Sequence, residues 1–491
     1  MSEPGTHEAC GVVGAAAVKN VSTELYQSLR ILQHRGQESA GIAVWQNGVR
    51  TAKGMGLVHH VIPTRELEEL QGHVGIGHVR YSTAGGSTME NCQPIVVASN
   101  YGDIALGHNG EITNADRLRA ELQKKGWAFI TTSDSEIIVR LLANEISAHG
   151  EPIRAIRETM RIIEGAYSLT ILIGNRVFAV RDPHAIRPLC VGEIDGGYLA
   201  ASESVVFDTL GAEFLRDLEP GEILELTPGG LQSTRTPAPA HPAHCMFEWV
   251  YFARPDSAID GQLVYDVRKR LGEILAREQP AAADIIVPIP DSGRSHALGF
   301  CEVSGLPYTE GLMKNRYIER TFIMPHQAER ESSVMLKLNP VKSVLRGKRV
   351  VLIDDSIVRG TTMKQIVQIV RGAGAKEVHV RIGSPPIRSP CYLGIDMKTR
   401  QQFAASGKTV EEICRMITAD SLGYLSIEGL VEAIGLPGVD LCLGCLTGEY
   451  PVPIEGEKIR FQRRLEAYAE ASPAAGLEAS ELPAAAKPGS K

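Results

Sequence analysis

Long apolar runs are missing from this chain. Across its 491 residues no uninterrupted hydrophobic stretch approaches the ~18 to 20 residues that a membrane span needs. The opening MSEPGTHEAC carries neither the basic segment nor the apolar segment of a secretory signal. Membrane and exported classes are therefore disfavoured, and the expected location is the cytoplasm. An excess of positive charge is missing too. Lys+Arg 51 against Asp+Glu 58 leaves a net charge of -7, so the chain lacks the electrostatic footprint of a general nucleic-acid binder. There is no fixed-period repeat. A disulfide framework is a poor explanation for nine cysteines in a long chain without a secretory start, which leaves catalysis or metal ligation as the better expectation.

What is present is globular. Hydrophobic residues at 43% and charged residues at 22% lie near the averages of packed proteins. At roughly 150 residues per domain the length predicts about three domains, or two large ones, and the pattern favours two. The first half alternates short apolar runs (CGVVGAAAV, GIAVW, GIGHVRYS, IALGHNG) with helical stretches such as EIIVRLLANEI. Composition changes at STRTPAPAHPAHC, a Pro/Ala-rich stretch that reads as a linker over 233–246. The second half contains a helical YDVRKRLGEILARE, then ADIIVPIPDSG, then GKRVVLIDDSIVRGTTMKQIVQIVRGAGAKEVHVRIG, a strand, polar turn, amphipathic helix and strand that make one βαβ unit of a parallel sheet. The last stretch, 466–491, is rich in Ala, Pro, Ser and Glu and is expected to be disordered.

The βαβ turn carries chemistry. Its apolar strand ends in Asp354 and Asp355, and the loop Ser356, Ile357, Val358, Arg359, Gly360, Thr361, Thr362 then opens a helix. Backbone N–H groups of such a loop, the two threonine hydroxyls and the positive end of a helix dipole suit a phosphate monoester. The carboxylates sit where they can hold ribose hydroxyls or a hard cation such as Mg²⁺. This run resembles the phosphoribosyl-pyrophosphate (PRPP) signature of type I phosphoribosyltransferases. The resemblance implies a parallel sheet whose C-terminal strand ends bind PRPP. It also makes Ile289-Pro290-Asp291-Ser292-Gly293-Arg294 the pyrophosphate loop, with Ser292 holding the metal alongside Asp354 and Asp355. The charged stretch between the two motifs, KNRYIERTFIMPHQAERESSVMLKLNP, is read either as an exposed surface segment or as a flexible lid over the pyrophosphate.

In the first half, LQHRGQESAGI, GHVRYST, GHNGEI and SDSE follow Cys10-Gly11-Val12-Val13-Gly14 in order. A Cys at a chain terminus can attack an amide with its own α-amino group as base, which here requires removal of residues 1–9. The set resembles the class II glutamine amidotransferases, N-terminal nucleophile hydrolases with an αββα sandwich, and this implies such a domain over 10–232. Carried over, the resemblance makes Arg80 the clamp on the glutamine α-carboxylate and Asp134 the acceptor for its α-ammonium, by charge-assisted hydrogen bonds. Asn109 and Gly110 become the oxyanion donors. His34, His78 and His108 are read as structural.

Joined in one chain, the two resemblances cover about 1–465, with a hinge motif FEWVYFARPDS opening a phosphoribosyltransferase domain over 247–465. They imply an enzyme that takes ammonia from glutamine and uses it to displace pyrophosphate from PRPP, giving 5-phosphoribosylamine, the first committed step of de novo purine synthesis. Ammonia would pass between the sites through a water-poor passage. Purine nucleotide effectors and a homotetramer are implied with it. Other class II amidotransferases need sugar-isomerase domains or an SGGxDS loop, and neither occurs here. A PRPP-binding transcriptional regulator would have no use for Cys10, Arg80, Asn109 and Asp134.

The pair Cys442-Leu443-Gly444-Cys445, with Cys245 and Cys391, could supply four thiolates to a structural Zn²⁺ or to an iron–sulfur cluster, and spacing does not choose between them. The resemblance extends to the propeptide-bearing, cluster-bearing branch of the family, which implies [4Fe-4S] at these four, expected to lie remote from the chemistry. Cys92, Cys190, Cys301 and Cys414 match no motif and are expected to be buried thiols.

Overall fold

A computed structural model describes residues 10–81, 86–315, 338–397 and 400–454. The expected propeptide, most of the lid stretch and the C-terminal tail lie outside the described residues.

The first half stacks two antiparallel sheets. One has seven strands, in the spatial order 213–217, 190–194, 197–201, 11–17, 74–80, 39–45, 49–55. The other has six, in the order 230–235, 222–227, 176–181, 165–173, 102–112, 95–99. The period-2 alternation of strand side chains explains how one strand serves two cores. On Gly11–Ala17, Val12 and Ala16 pack between the sheets with Ile76, Ala105, Leu172 and Ala179. Val13, Ala15 and Ala17 face the other way, into a cluster with Leu25 and Leu29 of the helix Ser22–Ile31. The outer face of the six-stranded sheet is covered by the helices Asp134–His149 and Pro152–Ile162 through Ile137, Leu141, Ile156 and Met160. The result is the αββα sandwich expected.

The second half is built on a four-stranded parallel sheet in the order Ile285–Pro288, Arg349–Asp354, Glu377–Ile382, Ser421–Tyr424. Its strands read as near-continuous apolar runs because helices cover them. Val350, Leu352, Val378 and Val380 are fully buried, with Ile366 and Val367 of the helix Thr361–Gly372 in the same cluster.

The linker differs from expectation. Residues 233–235 complete the edge strand Gly230–Arg235, with Arg235 opposite Glu222. The far end is docked as well: Ala243 N–H donates to His184 O at 2.6 Å and Cys245 N–H to Ile186 O at 3.1 Å. Backbone pairing, which composition does not encode, confines the irregular part to the residues between. The expected lid is rooted in a two-stranded ladder, Leu312–Lys314 against Leu338–Pro340.

Candidate active sites

Cys10, Arg80, Gly110 and Asp134, scattered in sequence, wall one small cavity together with Tyr81, Gln93, His108, Ser133 and Ser135. Neighbouring strands bring the first three together: Gly11 lies opposite Val79, and the strand Gly102–Ile112 runs on the facing sheet. Asp134 begins a helix capped by Ser133, whose Oγ accepts from Ser135 N–H at 3.2 Å. The Cys10 thiol donates to Tyr81 O at 3.4 Å. Burial raises its pKa, and the Arg80 charge pulls in the opposite direction. Arg80 lies 3.6 Å from Glu38. Asp134 Oδ2 accepts from Ile112 N–H at 3.0 Å. Asn109 is fully buried, and neither atom of its amide has a hydrogen-bond partner among the described residues. Asn109 is not among the residues that wall the cavity. Gly110 needs its lack of a side chain: at φ +147° a Cβ would stand 2.0 Å from Ala166 O.

Each of the three histidines has a partner of its own, and His108 finds its partner in the cavity wall. His34 Nε2 meets Glu203 Oε1 at 2.7 Å. His78 Nε2 pairs with His108 O at 3.0 Å, and burial pushes its pKa down to about 3. His108 Nδ1 pairs with Ser135 Oγ at 3.1 Å, and burial lowers its pKa as well.

The loop expected to bind PRPP lies where the βαβ reading puts it, between the strand Arg349–Asp354 and the helix Thr361–Gly372. Gly360 turns the chain into the helix at φ +80°. Asp354 and Asp355 sit side by side. The pKa of Asp354 is raised well above the carboxylate range, by burial first and then by the Asp355 charge. Ser292 hydrogen-bonds to Asp354, so the two loops meet at that carboxylate. The contact is close because a Cβ on Gly293 would lie 2.4 Å from Ile353 O. Ser356 Oγ donates to Asp355 Oδ2 at 2.6 Å. Arg359 is half-buried in the loop, and Thr361 and Thr362 form the first turn of the helix. Two crowded carboxylates with a hydroxyl between the loops fit a hard cation held mainly by its substrate.

The four cysteines share one neighbourhood, with Cys245, Cys391 and Cys445 buried and Cys442 half-buried. Cys245 and Cys442 are register partners in a two-residue parallel ladder. Arg388 and Ser389 N–H groups both donate to Cys445 O at 3.0 Å, and Leu393 N–H donates to Cys391 Sγ at 3.4 Å. Burial pushes the Cys245 thiol up to about 12. All four are free thiols, and among the described residues no three His, Cys, Asp or Glu side chains converge on a single-ion position. The turn that follows Cys391 reaches the first site: a Cβ on Gly394 would lie 2.8 Å from Gly110 Cα. Cys92 and Cys190 are buried, whereas Cys301 and Cys414 are only half-buried.

Sequence reasoning missed the residues between the sites. Arg35 Nε donates to Cys10 O at 2.9 Å, Nη1 to Glu203 at 2.7 Å and Nη2 to Glu248 at 2.8 Å, all buried. Glu248 opens a single π-type turn, Glu248–Phe252, inside the hinge motif. On the other side of that turn, Arg268 donates to Trp249 O and Ala253 O, both at 2.8 Å. Burial lowers the pKa of Arg268 to about 10, and the Asp355 charge opposes the shift. The only sequence signal was the hinge motif itself, which does not name its partners.

Comparison with known proteins agrees with both halves. Residues 78–209 match a family described as glutamine amidotransferase domain, and residues 260–382 one described as phosphoribosyl transferase domain. The amidophosphoribosyltransferase of Methanocaldococcus jannaschii is 53% identical over 92% of this chain and 99% of its own length. That of Bacillus subtilis is 45% identical, over 92% and 95%. The chain belongs to the amidophosphoribosyltransferase family. A solved member of the family, the glutamine PRPP amidotransferase from B. subtilis complexed with ADP and GMP, superposes with a TM-score of 0.86 at 43% identity, covering 91% of this chain and 98% of that one. A structure titled as the allosteric regulatory enzyme of purine biosynthesis superposes at 0.87, again with 43% identity, over 92% and 98%. The family's reaction is glutamine, PRPP and water to 5-phosphoribosylamine, glutamate and pyrophosphate.

Proposed function

We propose that this chain runs the reaction of its family with the residues gathered above. The Cys10 thiolate attacks the glutamine carboxamide carbon while Arg80 and Asp134 hold the α-carboxylate and α-ammonium. Negative charge on the carboxamide oxygen is met by the Asn109 amide and the Gly110 N–H. The C–N bond breaks, ammonia leaves, and water hydrolyses the thioester to glutamate. The freed α-amine of Cys10 moves the protons, which requires a mature chain beginning at Cys10. At the second site ammonia attacks C1 of PRPP as the C1–O bond to pyrophosphate breaks, and the nitrogen sheds a proton. The loop 356–362 binds the 5-phosphate and Asp354 and Asp355 the ribose hydroxyls. Mg²⁺, held by Ser292, Asp354 and Asp355 with PRPP, would neutralise the pyrophosphate. Ammonia passes along the interior beside the Glu248–Phe252 turn, away from water that would protonate it.

The observation that carries this reading is the single cavity walled by Cys10, Arg80, Gly110 and Asp134. A structural [4Fe-4S] cluster at Cys245, Cys391, Cys442 and Cys445 is part of this reading, with three of these free thiols buried and Cys442 half-buried; for the alternative, Zn²⁺, no three such side chains converge on one ion among the described residues. We further assign purine nucleotide feedback, a homotetramer and a cytoplasmic location. Among the described residues no helix is long and apolar enough to cross a membrane. The test is to supply glutamine, PRPP and Mg²⁺ to purified protein and follow glutamate and pyrophosphate together. Equal amounts are expected, and glutamate without pyrophosphate would overturn the coupling.

A further inference from the structure

Gly110 is gripped from two sides. Ala166 O closes one side and the backbone of Gly394 the other, where an added Cβ would lie 2.8 Å from Gly110 Cα and 3.1 Å from Arg187 Nη2. Gly394 belongs to a turn that starts at Cys391 and is closed by Cys391 N–H donating to Met397 O at 2.9 Å. The segment that presses on Gly110 is therefore anchored at one of the four thiols.

Arg187 joins the same parts. It is fully buried, and its Nε donates to Leu393 O at 3.1 Å, inside that turn. Its Nη1 reaches Glu248 Oε1 at 3.1 Å and Cys245 Sγ at 4.0 Å. Its Nη2 is buried without a hydrogen-bond partner among the described residues. Glu248 in turn holds Arg35, which holds the carbonyl of Cys10. One guanidinium thus touches a thiol of the four, the turn against Gly110 and, through two further side chains, the backbone of Cys10. A planar cation with several fixed donors transmits position in a way that a flexible ammonium does not.

We propose that Arg187 is a positioning residue of the glutaminase half-reaction: Glu248 and the Cys245 sulfur, one of the four, hold its guanidinium, and the guanidinium holds the Leu393–Gly394 turn against Gly110. The aim of the Gly110 N–H then depends on the state of the thiol shell, and emptying the shell disables the use of glutamine before the use of ammonia. This rests on the reading of Cys10 as nucleophile and Gly110 as oxyanion donor.

The test compares anaerobically purified full-length wild type with Arg187→Met and with Gly394→Ala, a variant that retains the Arg187 side chain and every thiol but crowds the turn against Gly110 and Arg187 Nη2. Glutamine hydrolysis should fall by about 100-fold, the scale of one lost oxyanion donor, through kcat more than KM, while ammonia-dependent synthesis stays within about twofold. Peptide mass spectrometry should show slowed labelling of Cys10 by a diazoketone analogue of glutamine, whose carbonyl must sit at the oxyanion donors. Labelling by methyl methanethiosulfonate, which has no carbonyl, should keep its wild-type rate. Visible absorbance and metal content should match the wild type, and chelator-treated wild type should reproduce the variants' labelling pattern. Wild-type diazoketone labelling in both variants would overturn the proposal, as would joint loss of metal and of both activities in both variants. Cys10→Ala, assayed in parallel, separates the two levels: if it still hydrolyses glutamine, the underlying reading fails rather than the role of Arg187.

Discussion

At the scale of single residues the two sites separate by what each loss spares. Cys10→Ala removes the nucleophile and should abolish glutamine-dependent synthesis, while synthesis from high ammonia persists. Replacing Asp354 and Asp355 together by Asn should abolish both. Rates measured with each nitrogen source decide the matter, and near wild-type ammonia-dependent activity in the second variant would reduce the acidic pair to a turn. Titration makes a separate prediction. Burial pushes the pKa values of His78 and His296 down to about 3 from 6.5, so both are neutral in the fold and take up protons when it unfolds. Their contribution is present above pH 6.5 and is lost as pH falls toward 3. Between pH 7 and pH 5 the loss should be about 2 kcal/mol for each. Denaturant titrations at the two pH values should show His78→Gln and His296→Gln each flattening that dependence, and unchanged slopes would contradict neutral burial.

At the scale of elements, the proposed PRPP site sits where a strand hands over to a helix. The strand Arg349–Asp354 is buried by its apolar residues, so its last carboxylate arrives at a set height beside the N-terminus of Thr361–Gly372. Gly360 makes that handover possible at φ +80°, with Met416 Cε 2.6 Å from where a Cβ would be. The methionine end can yield and the backbone angle cannot. Gly360→Ala should therefore cost roughly 1–2 kcal/mol of stability and raise the KM for PRPP, leaving glutamine hydrolysis less affected. Thermal unfolding with steady-state kinetics checks it; an unchanged KM would remove the loop from the phosphate site.

The two halves are fastened at the scale of the whole molecule by buried charge. Arg35, Glu203, Glu248 and Arg187 form one ion network around the start of the chain's hinge. Two cations and two anions balance, and removal of one partner from such a pair typically costs 3–5 kcal/mol. The proposed cluster would add a second fastening, between the hinge at Cys245 and the C-terminal Cys442 and Cys445. Metal analysis and absorbance of anaerobically purified protein should show about four irons with sulfide and a brown colour, whereas one zinc without colour would replace the cluster by a zinc site.

Periodicity was enough to read the βαβ unit, because it is a local pattern, and the order of the motifs carried the resemblance that implied the αββα sandwich. Strand alternation places Val12 and Val13 on opposite faces whatever lies far away, and Asp354 ends an apolar strand by its own sequence. The extent of the linker, the contact of Gly394 with Gly110 and the partners of Arg35, Glu248 and Arg187 were decided only by the tertiary structure. An arginine does not encode which distant carboxylate will neutralise it. That choice follows from which buried surfaces the packing brings together, since a charge taken out of water must find its partner there.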